Sequence, residues 1–182
     1  MNKGFKKLLR LLLGLGLLFN SQPTTQALTL EEQTVLAALA LNVVRFTTWP
    51  DQAVQGMKET IDFCVVGDNT VQQSFSSIDH KAVGNKSLKI ISLSRLSNFE
   101  QCHVLYLTDI KQNILLQVFV EIKKMPLLSI GDSDDFAEQG GMIGLENVNN
   151  KITLHVNTAA VREANLTISS RLLSLAKIID NK

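Results

Sequence analysis

Several residue types are too scarce in this chain of 182 residues to build some common functional sites. It has three histidines and two cysteines, and no two histidines stand at the spacing of zinc ligands, so we expect no structural zinc site. The 18 basic residues are balanced by 17 acidic ones, which leaves no positive excess of the kind that nucleic-acid-binding domains carry. Beyond residue 27, no apolar run reaches the roughly 20 residues that a transmembrane helix needs.

The first 27 residues have the organisation of a secretory signal peptide. Four basic residues precede an apolar run over 11–19, and Thr25-Gln26-Ala27 supplies small residues for cleavage. An uncleaved membrane anchor is the alternative, but the run is shorter than the roughly 20 residues that span a bilayer, and Pro23 follows it closely. We therefore predict export to the periplasm and cleavage after Ala27.

The residues that follow, 28–182, are predicted to form one domain. The signal peptide takes four of the basic residues and none of the acidic ones, so the other 155 residues carry 14 basic and 17 acidic side chains, a net charge of −3. This length suits a single domain. The mild negative charge again argues against nucleic acid as a partner.

Cys64 and Cys102 are the two cysteines of an exported chain, and an oxidising compartment favours a disulfide between them. The chain-entropy model gives such a bridge about 4 kcal/mol of stabilisation. Two buried free thiols are the alternative.

The spacing of apolar residues predicts strands that alternate with helices. Strands are expected at 61–66, 88–93, 104–107 and 127–130, and a hairpin joins 142–145 to 151–156. Helices are expected at 30–48 with Thr29 as its N-cap, at 70–77, 113–124, 136–139 and 159–164, and from Ser169 or Thr167 through Ile179. This order predicts an α/β fold with three layers, in which helices flank a mostly parallel sheet and the C-terminal antiparallel hairpin forms an edge.

The segment 129–133 contains a Gly-Asp-Ser triplet similar to the nucleophile block of some esterases. Such a site needs a histidine base with a supporting aspartate, and no histidine here has an Asp three residues before it on a C-terminal loop. We interpret Asp132, Ser133 and Asp134 as caps of the helix at 136–139. Asp132, Asp134 and Asp135 also lack the ligand offsets of a calcium loop. No catalytic, metal or cofactor site is predicted.

Two histidines also have structural interpretations. His103 begins a buried strand beside Cys102, so we expect a core or edge residue whose hydrogen bonds are made within the protein. The two-residue period of 152–156 places His155 on the face opposite its apolar neighbours. We therefore expect His155 near the surface, without a partner.

Two regions are candidates for binding. The carboxyl ends of the parallel strands, near Gly67, Asp109 and Gly131, form the usual ligand crevice of an open α/β sheet. The cations best able to bind an anionic ligand or a partner carboxylate are Arg45, Arg162 and Arg171. Each arginine is also consistent with an ordinary solvated helix face.

Seven sequence blocks, taken together and in order, resemble a known family. They are 42–50 (NVVRFTTWP), 63–67 (FCVVG), 101–107 (QCHVLYL), 127–132 (LLSIGD), 136–143 (FAEQGGMI), 152–157 (ITLHVN) and 170–176 (SRLLSLA). The set is similar to the YfiR-like periplasmic regulators and extends over roughly residues 32–179.

The resemblance implies a regulator and not an enzyme. YfiR-like proteins repress an inner-membrane diguanylate cyclase through its periplasmic sensor domain, which lowers cyclic di-GMP and so affects biofilm formation and motility. An outer-membrane lipoprotein captures some of them. Cys64 and Cys102 match family positions that can pair, whereas a second cysteine pair found in some members is absent here.

Such a repressor needs an exposed apolar patch that can bind a partner or a second copy of the chain. The first helix has a broad apolar surface, for which burial in the core is the favoured explanation. The alternative function is a periplasmic small-molecule binding module without a cyclase partner.

Overall fold

The protein is described by a computed structural model that covers residues 30–149 and 151–180. The signal peptide and the Thr29 cap lie outside the described residues. Cleavage after Ala27 and the extent of the domain, 28–182, stay predictions.

Helices and strands alternate along the described chain, as the sequence predicts. The helices are α1 (Leu30–Arg45), α2 (Asp51–Gly56), α3 (Asn69–Ser76), α4 (Gln112–Ile122), α5 (Thr158–Glu163) and α6 (Ser170–Leu173), with a 3₁₀ turn at Phe99–Gln101. The strands are β1 (Thr47–Thr48), β2 (Thr60–Val66), β3 (Ala82–Val83), β4 (Lys86–Ser92), β5 (Val104–Leu107), β6 (Leu128–Gly131), β7 (Ile143–Val148), β8 (Lys151–Asn157), β9 (Thr167–Ile168) and β10 (Lys177–Ile179).

Eight strands form one sheet in the order β10-β8-β7-β6-β5-β2-β4-β3. The five central strands from β7 to β4 run parallel to one another. The hairpin partner β8 pairs antiparallel with β7, and β3 pairs antiparallel with β4. The predicted mostly parallel sheet with an antiparallel strand pair is therefore confirmed.

Two apolar cores lie on opposite faces of this sheet. On one face α1 and α3 pack against the strands, and Leu36, Val44 and Phe75 are at most 1% exposed. On the other face Leu115 and Val118 of α4 pack against β5. Helices on both faces of a sheet give the three predicted layers. Most of the apolar surface of α1 is buried, as expected.

The disulfide between Cys64 and Cys102 is present. Cys64 points from β2 into the core beneath α4, and Cys102 follows the 3₁₀ turn just before β5. The two Cα atoms are 5.7 Å apart. The bridge therefore links neighbouring parallel strands of the sheet inside a buried layer, and the free-thiol alternative is wrong.

The predicted C-terminal helix is wrong. Ser169 caps a single turn, α6, by accepting a hydrogen bond from the Leu172 amide, and the chain then extends as β10. This strand pairs parallel with β8 and forms the sheet edge, so the hairpin is not the edge. Adjacent β-branched residues Ile178 and Ile179 favour a strand, and β8 offers unpaired backbone groups to receive it.

The helix predicted at 136–139 is a turn instead. The Phe136 ring fills the space between Gly131 and Gly141, where an added Cβ would lie 2.3 Å and 2.1 Å from ring atoms. Asp135 adopts a left-handed backbone with φ of 55°. We call the turn that runs from Asp132 to Gly140 the 132–140 loop.

The first helix ends at Arg45, three residues earlier than predicted. Thr47 and Thr48 pair antiparallel with Thr167 and Ile168, which joins the end of α1 to the segment after α5. Asn165, which follows α5, adopts a left-handed conformation with φ of 57°.

Candidate ligand-binding crevice

A cavity opens beside Asp132, which lies at the carboxyl ends of β5 and β6. Leu107 and Gly131 pair at the ends of these strands, and Thr108 and Asp132 follow them directly. Near Gly67 there is no space, because an added Cβ would lie 2.8 Å from both Thr108 and Val71. None of the three predicted positions, Gly67, Asp109 and Gly131, lines this cavity. Ligand binding at these strand ends therefore stays a prediction, and close to Gly67 the space is filled by packing.

Asp132 lies at the centre of a hydrogen-bond network. Its Oδ2 accepts hydrogen bonds from the Tyr106 hydroxyl at 3.1 Å and from the Thr108 hydroxyl at 2.9 Å. The buried side chain of Gln33 on α1 also donates to this carboxylate. The network connects two strands to the first helix around one acidic group.

Burial shifts the acidity of this network. It raises the pKa of Asp132 above the ordinary value, and the hydrogen bonds from Thr108, Tyr106 and Gln33 oppose the shift without cancelling it. Burial and the nearby Asp132 charge also raise the pKa of Tyr106 well above its ordinary value. Tyr106 therefore stays a neutral donor, and Asp132 holds a proton to a higher pH than an exposed aspartate does.

An aromatic cluster holds Tyr106 in place. Its ring lies 4.3 Å from the Phe75 ring at an angle of 45°, and the Phe75 ring lies 5.5 Å from the Phe63 ring. None of the three side chains is exposed. Because α3 supplies Phe75, packing between helix and sheet fixes the direction of the Tyr106 hydroxyl.

The cavity combines an acidic rim with an apolar wall. Its volume is about 260 Å³, near the lower limit of about 300 Å³ for small-molecule sites. The lining residues are Glu31, Glu32, Val35, Leu36, Asp132, Leu145, Asn147 and Ile152. Carboxylates beside aliphatic side chains suit a small cationic group on an apolar body, such as an amine ligand or a basic side chain of a partner.

Sequence reasoning found Asp132 but gave it the wrong role. The sequence pattern predicts that this carboxylate caps a helix, but no helix follows it in the structure. The useful signal was its position directly after a buried parallel strand, where ligand crevices form. Its partners Tyr106 and Gln33 could not be paired with it from sequence spacing, because they come from distant segments.

The three arginines lie on three different helices. Arg45 ends α1, and its guanidinium donates to the Ala82 carbonyl at 3.2 Å and reaches Asn42 Oδ1 at 3.5 Å. Arg162 lies on α5 and Arg171 on α6, and both are exposed. None of them lines the cavity beside Asp132. Their role in binding an anion or a partner carboxylate stays a prediction.

The prediction for His103 is confirmed. Its Nδ1 accepts a hydrogen bond from the Asp62 amide at 2.8 Å, and burial lowers its pKa despite the opposing charge of Asp62. A neutral imidazole that accepts from the backbone is a structural residue at the start of β5.

The prediction for His155 is wrong. The residue is only 4% exposed, and its Nδ1 lies 3.1 Å from Oε1 of Glu146 and 3.5 Å from Oε1 of Glu138. It does face away from Ile143 and Val156, as its period predicts, but the 132–140 loop covers that side of the sheet. The strand pattern shows which face a residue occupies and does not show what covers that face.

The raised pKa of Asp132 predicts a specific dependence of stability on pH. Between the ordinary aspartate value of 3.8 and the raised folded value, the folded state keeps a proton that the unfolded state has lost. The free energy of unfolding therefore falls as pH rises through this window. Asp132→Asn removes this titration. Across the same pH window, the melting temperature of the wild type should therefore fall relative to that of the variant as pH rises. A difference that stays constant across the window contradicts this prediction.

Comparison with known proteins gives the family. A family model described as YfiR/HmsC-like matches residues 33–177, which include every strand of the sheet except the last two residues of β10. The chain belongs to the YfiR/HmsC-like family. This finding confirms the resemblance carried by the seven sequence blocks.

Among solved structures, this YfiR/HmsC-like chain is similar to a conserved domain protein from Vibrio cholerae O1 biovar El Tor strain N16961. The two share 13% sequence identity with a TM-score of 0.48, over 72% of this chain and 60% of the other. The chain thus spans about three fifths of the length of that protein. A search of curated proteins gives no match.

The YfiR/HmsC-like family is known for periplasmic regulators of diguanylate cyclases, which act by binding and not by catalysis. The disulfide is consistent with an oxidising compartment. Within residues 30–149 and 151–180, no helix has both the length and the hydropathy to cross a membrane. These properties agree with the periplasmic location of the family.

Proposed function

We propose that this chain represses an inner-membrane diguanylate cyclase by binding the cyclase's periplasmic sensor domain, and so lowers cyclic di-GMP. The observation that carries the proposal is the family match over residues 33–177. The disulfide supports it, because it suits a protein that stays folded in the periplasm.

A repressor of this kind acts by staying bound to its partner and not by turnover, so it needs a stable scaffold with a surface that the partner can bind. On α4, Leu116 and Val120 are 44% and 76% exposed, although the same helix buries Leu115 and Val118. These exposed aliphatic side chains suit a protein contact. Under this proposal the cyclase domain is the main partner, and an outer-membrane lipoprotein or a second copy of the chain competes for the repressor.

Deletion of the gene tests the proposal. We expect cyclic di-GMP to rise in the deletion strain and to return to its original level when the full chain is supplied again. A chain without residues 1–27 should not restore repression, because it stays in the cytoplasm. Unchanged cyclic di-GMP in the deletion strain would contradict the proposed function.

The arginines can be tested in the same strain. Under this proposal, Arg162→Glu or Arg171→Glu weakens repression if a partner carboxylate binds there, whereas Lys89→Glu, an equally large charge change at an exposed residue of β4, does not. All variants should reach wild-type levels in the periplasm, measured by immunoblot. If both arginine variants repress as strongly as the wild type, these residues do not belong to the interface.

The cavity beside Asp132 favours a second candidate function, a small-molecule binding module. Saturating ligand should raise the melting temperature, so a panel of cationic periplasmic metabolites can be screened by thermal shift. Val35→Trp should fill the cavity and abolish the shift, because Val35 lines it. Val54→Trp is the matched control, since Val54 lies on α2 and is similarly exposed. If no metabolite shifts the wild type, this second function is rejected.

A further inference from the structure

Three potential metal ligands meet on the face of the sheet that the 132–140 loop covers. Glu146 projects from β7, His155 from the neighbouring β8, and Glu138 from the loop itself. One ligand atom from each lies within 4.8 Å of the other two. The cluster is distinct from the Asp132 cavity, whose lining includes none of these residues.

The distances from the His155 imidazole to the two carboxylates match the spacing of ligand atoms around a single ion. His155 Nδ1 lies 3.1 Å from Glu146 Oε1 and 3.5 Å from Glu138 Oε1. With bonds of about 2.1 Å to a metal ion, neighbouring ligand atoms are about 3.4 Å apart in a tetrahedral site and about 3.0 Å apart in an octahedral one. The imidazole nitrogen therefore lies at ligand spacing from each carboxylate oxygen, and the two carboxylate oxygens lie within 4.8 Å of each other.

Two of these atoms are buried and lack hydrogen bonds. Glu146 is 6% exposed and His155 is 4% exposed. Among residues 30–149 and 151–180, neither Glu146 Oε1 nor His155 Nδ1 has a hydrogen-bond partner, and the two atoms do not meet in hydrogen-bond geometry with each other. Leaving buried polar atoms unsatisfied costs free energy, and coordination of a cation would satisfy both at once.

The backbone around the cluster leaves space for its side chains. Gly144 pairs with His155 across the hairpin. A Cβ at Gly144 would lie 3.0 Å from Glu146 Oε1 and 3.4 Å from the Cβ of His155. A glycine at this position therefore allows the carboxylate and the imidazole to converge.

Contacts from β8 and the loop fix the directions of the two glutamates. The Asn157 side-chain amide donates to the Ala137 carbonyl at 2.9 Å, which holds the residue before Glu138 against β8. The Asp135 backbone amide donates to the Glu146 carboxylate. Supporting hydrogen bonds of this kind orient the ligands in metal sites.

On its outer side the cluster contacts a cation. Lys177 on β10 places its ammonium group 3.3 Å from Glu138 Oε1, and its side chain is 60% exposed. The lysine neutralises one carboxylate, whereas the Glu146 charge remains beside the imidazole.

We propose that Glu138, Glu146 and His155 bind one divalent transition-metal ion, with Zn²⁺ as the best fit. An imidazole nitrogen favours such an ion over Ca²⁺ or Mg²⁺, which prefer oxygen ligands. Glu138 is partly exposed, so water completes the coordination on that side. The ion would attach the 132–140 loop to β7 and β8, and its role is structural.

Metal titration of the chain purified from the periplasm of an expression host tests this proposal. After chelator treatment and dialysis, calorimetry with Zn²⁺ should show one saturable site, and Co²⁺ should give visible absorption bands of a nitrogen- and oxygen-ligated ion. Glu138→Gln and His155→Gln should each weaken Zn²⁺ binding by about 100-fold. The partly exposed Glu138 makes its variant the safer one for folding, and circular dichroism verifies the fold of both.

Two control variants separate this site from adventitious surface binding. His80→Gln removes an imidazole that is 81% exposed, and Glu163→Gln removes a carboxylate paired with Lys123 outside the cluster. Both should bind Zn²⁺ like the wild type. The proposal is overturned if folded Glu138→Gln binds Zn²⁺ with wild-type affinity, or if the wild type shows no saturable site.

Hydrogen exchange provides a readout at the loop itself. Zn²⁺ should slow exchange of the amides from 133 to 140 in the wild type and leave them unchanged in Glu138→Gln. If exchange in the loop does not respond to Zn²⁺ in the wild type, the ion does not attach this loop to the sheet, and the proposed site is wrong.

Discussion

Replacing Cys64 and Cys102 together with alanine is expected to lower the free energy of unfolding by about 4 kcal/mol. The bridge closes a segment with a sequence separation of 38, and the chain-entropy model assigns about 4 kcal/mol to the restriction of such a loop in the unfolded state. Because a domain of this size is typically stable by only about 5–15 kcal/mol, the variant should unfold at much lower urea concentration.

The comparison needs three samples: oxidised wild type, wild type reduced with a thiol, and the double alanine variant. Reduction breaks the covalent link but leaves both sulfur atoms in the core, where Cys64 is fully buried and Cys102 is 5% exposed. Most of the loss should therefore already occur on reduction. If oxidised and reduced wild type unfold at the same urea concentration, loop restriction contributes nothing.

The same bridge affects the proposed function. It ties β2 to the entry of β5, and β5 carries Tyr106, whose hydroxyl binds Asp132. Reduction therefore weakens the part of the sheet on which the Asp132 crevice is built. A cytoplasmic copy of the chain would lack both the bridge and access to the proposed cyclase domain.

The centre of the sheet could be predicted from sequence because β5 and β6 are buried on both faces. The run Val104–Leu107 is wholly apolar, and all four residues are buried. When helices flank a continuous apolar run of this length, the pattern is typical of a parallel strand that is covered on both faces. The order of the strands was not available from these runs, because it depends on pairing between distant segments.

The C-terminal strand β10 could not be predicted, because the spacing of apolar residues favours a helix whereas pairing with β8 favours a strand. Leu172 and Ile179 lie at helical spacing and both are buried, yet Leu175 between them is 76% exposed. A continuous helix would have buried all three on one stripe. The unpaired edge of β8 determines the outcome, and nothing in the local sequence shows that this edge is available.

The two clusters of polar groups were missed for a related reason. Asp132 and Glu138 both lie on the 132–140 loop, which the sequence suggested was a capped helix. As a helix, the segment would have satisfied its own backbone and left its carboxylates in solvent. As a turn packed on the sheet, it directs Asp132 toward Tyr106 and Glu138 toward His155.

Phe136→Ala should have an effect as large as loss of the disulfide, because this ring anchors the 132–140 loop. The side chain is fully buried, contacts Phe119 edge-on with centroids 5.2 Å apart, and fills the space between Gly131 and Gly141. Truncating a buried phenylalanine to alanine costs about 3–5 kcal/mol. Phe119→Ala is the control; it removes the same ring pair from a partly exposed residue and should cost less.

A double-mutant cycle with Gly131→Ala separates the ring's packing from general damage. Gly131 has no positive φ, so alanine suits its backbone, and the cost of Gly131→Ala comes from the Cβ that would lie 2.3 Å from the Phe136 ring. With the ring already removed, the same methyl group occupies vacated space. In the Phe136→Ala background, Gly131→Ala should therefore be much less destabilising in urea unfolding than it is in the wild type, or should even be stabilising. Strict additivity would mean that the ring does not fill the space beside Gly131, and the loop would need another anchor.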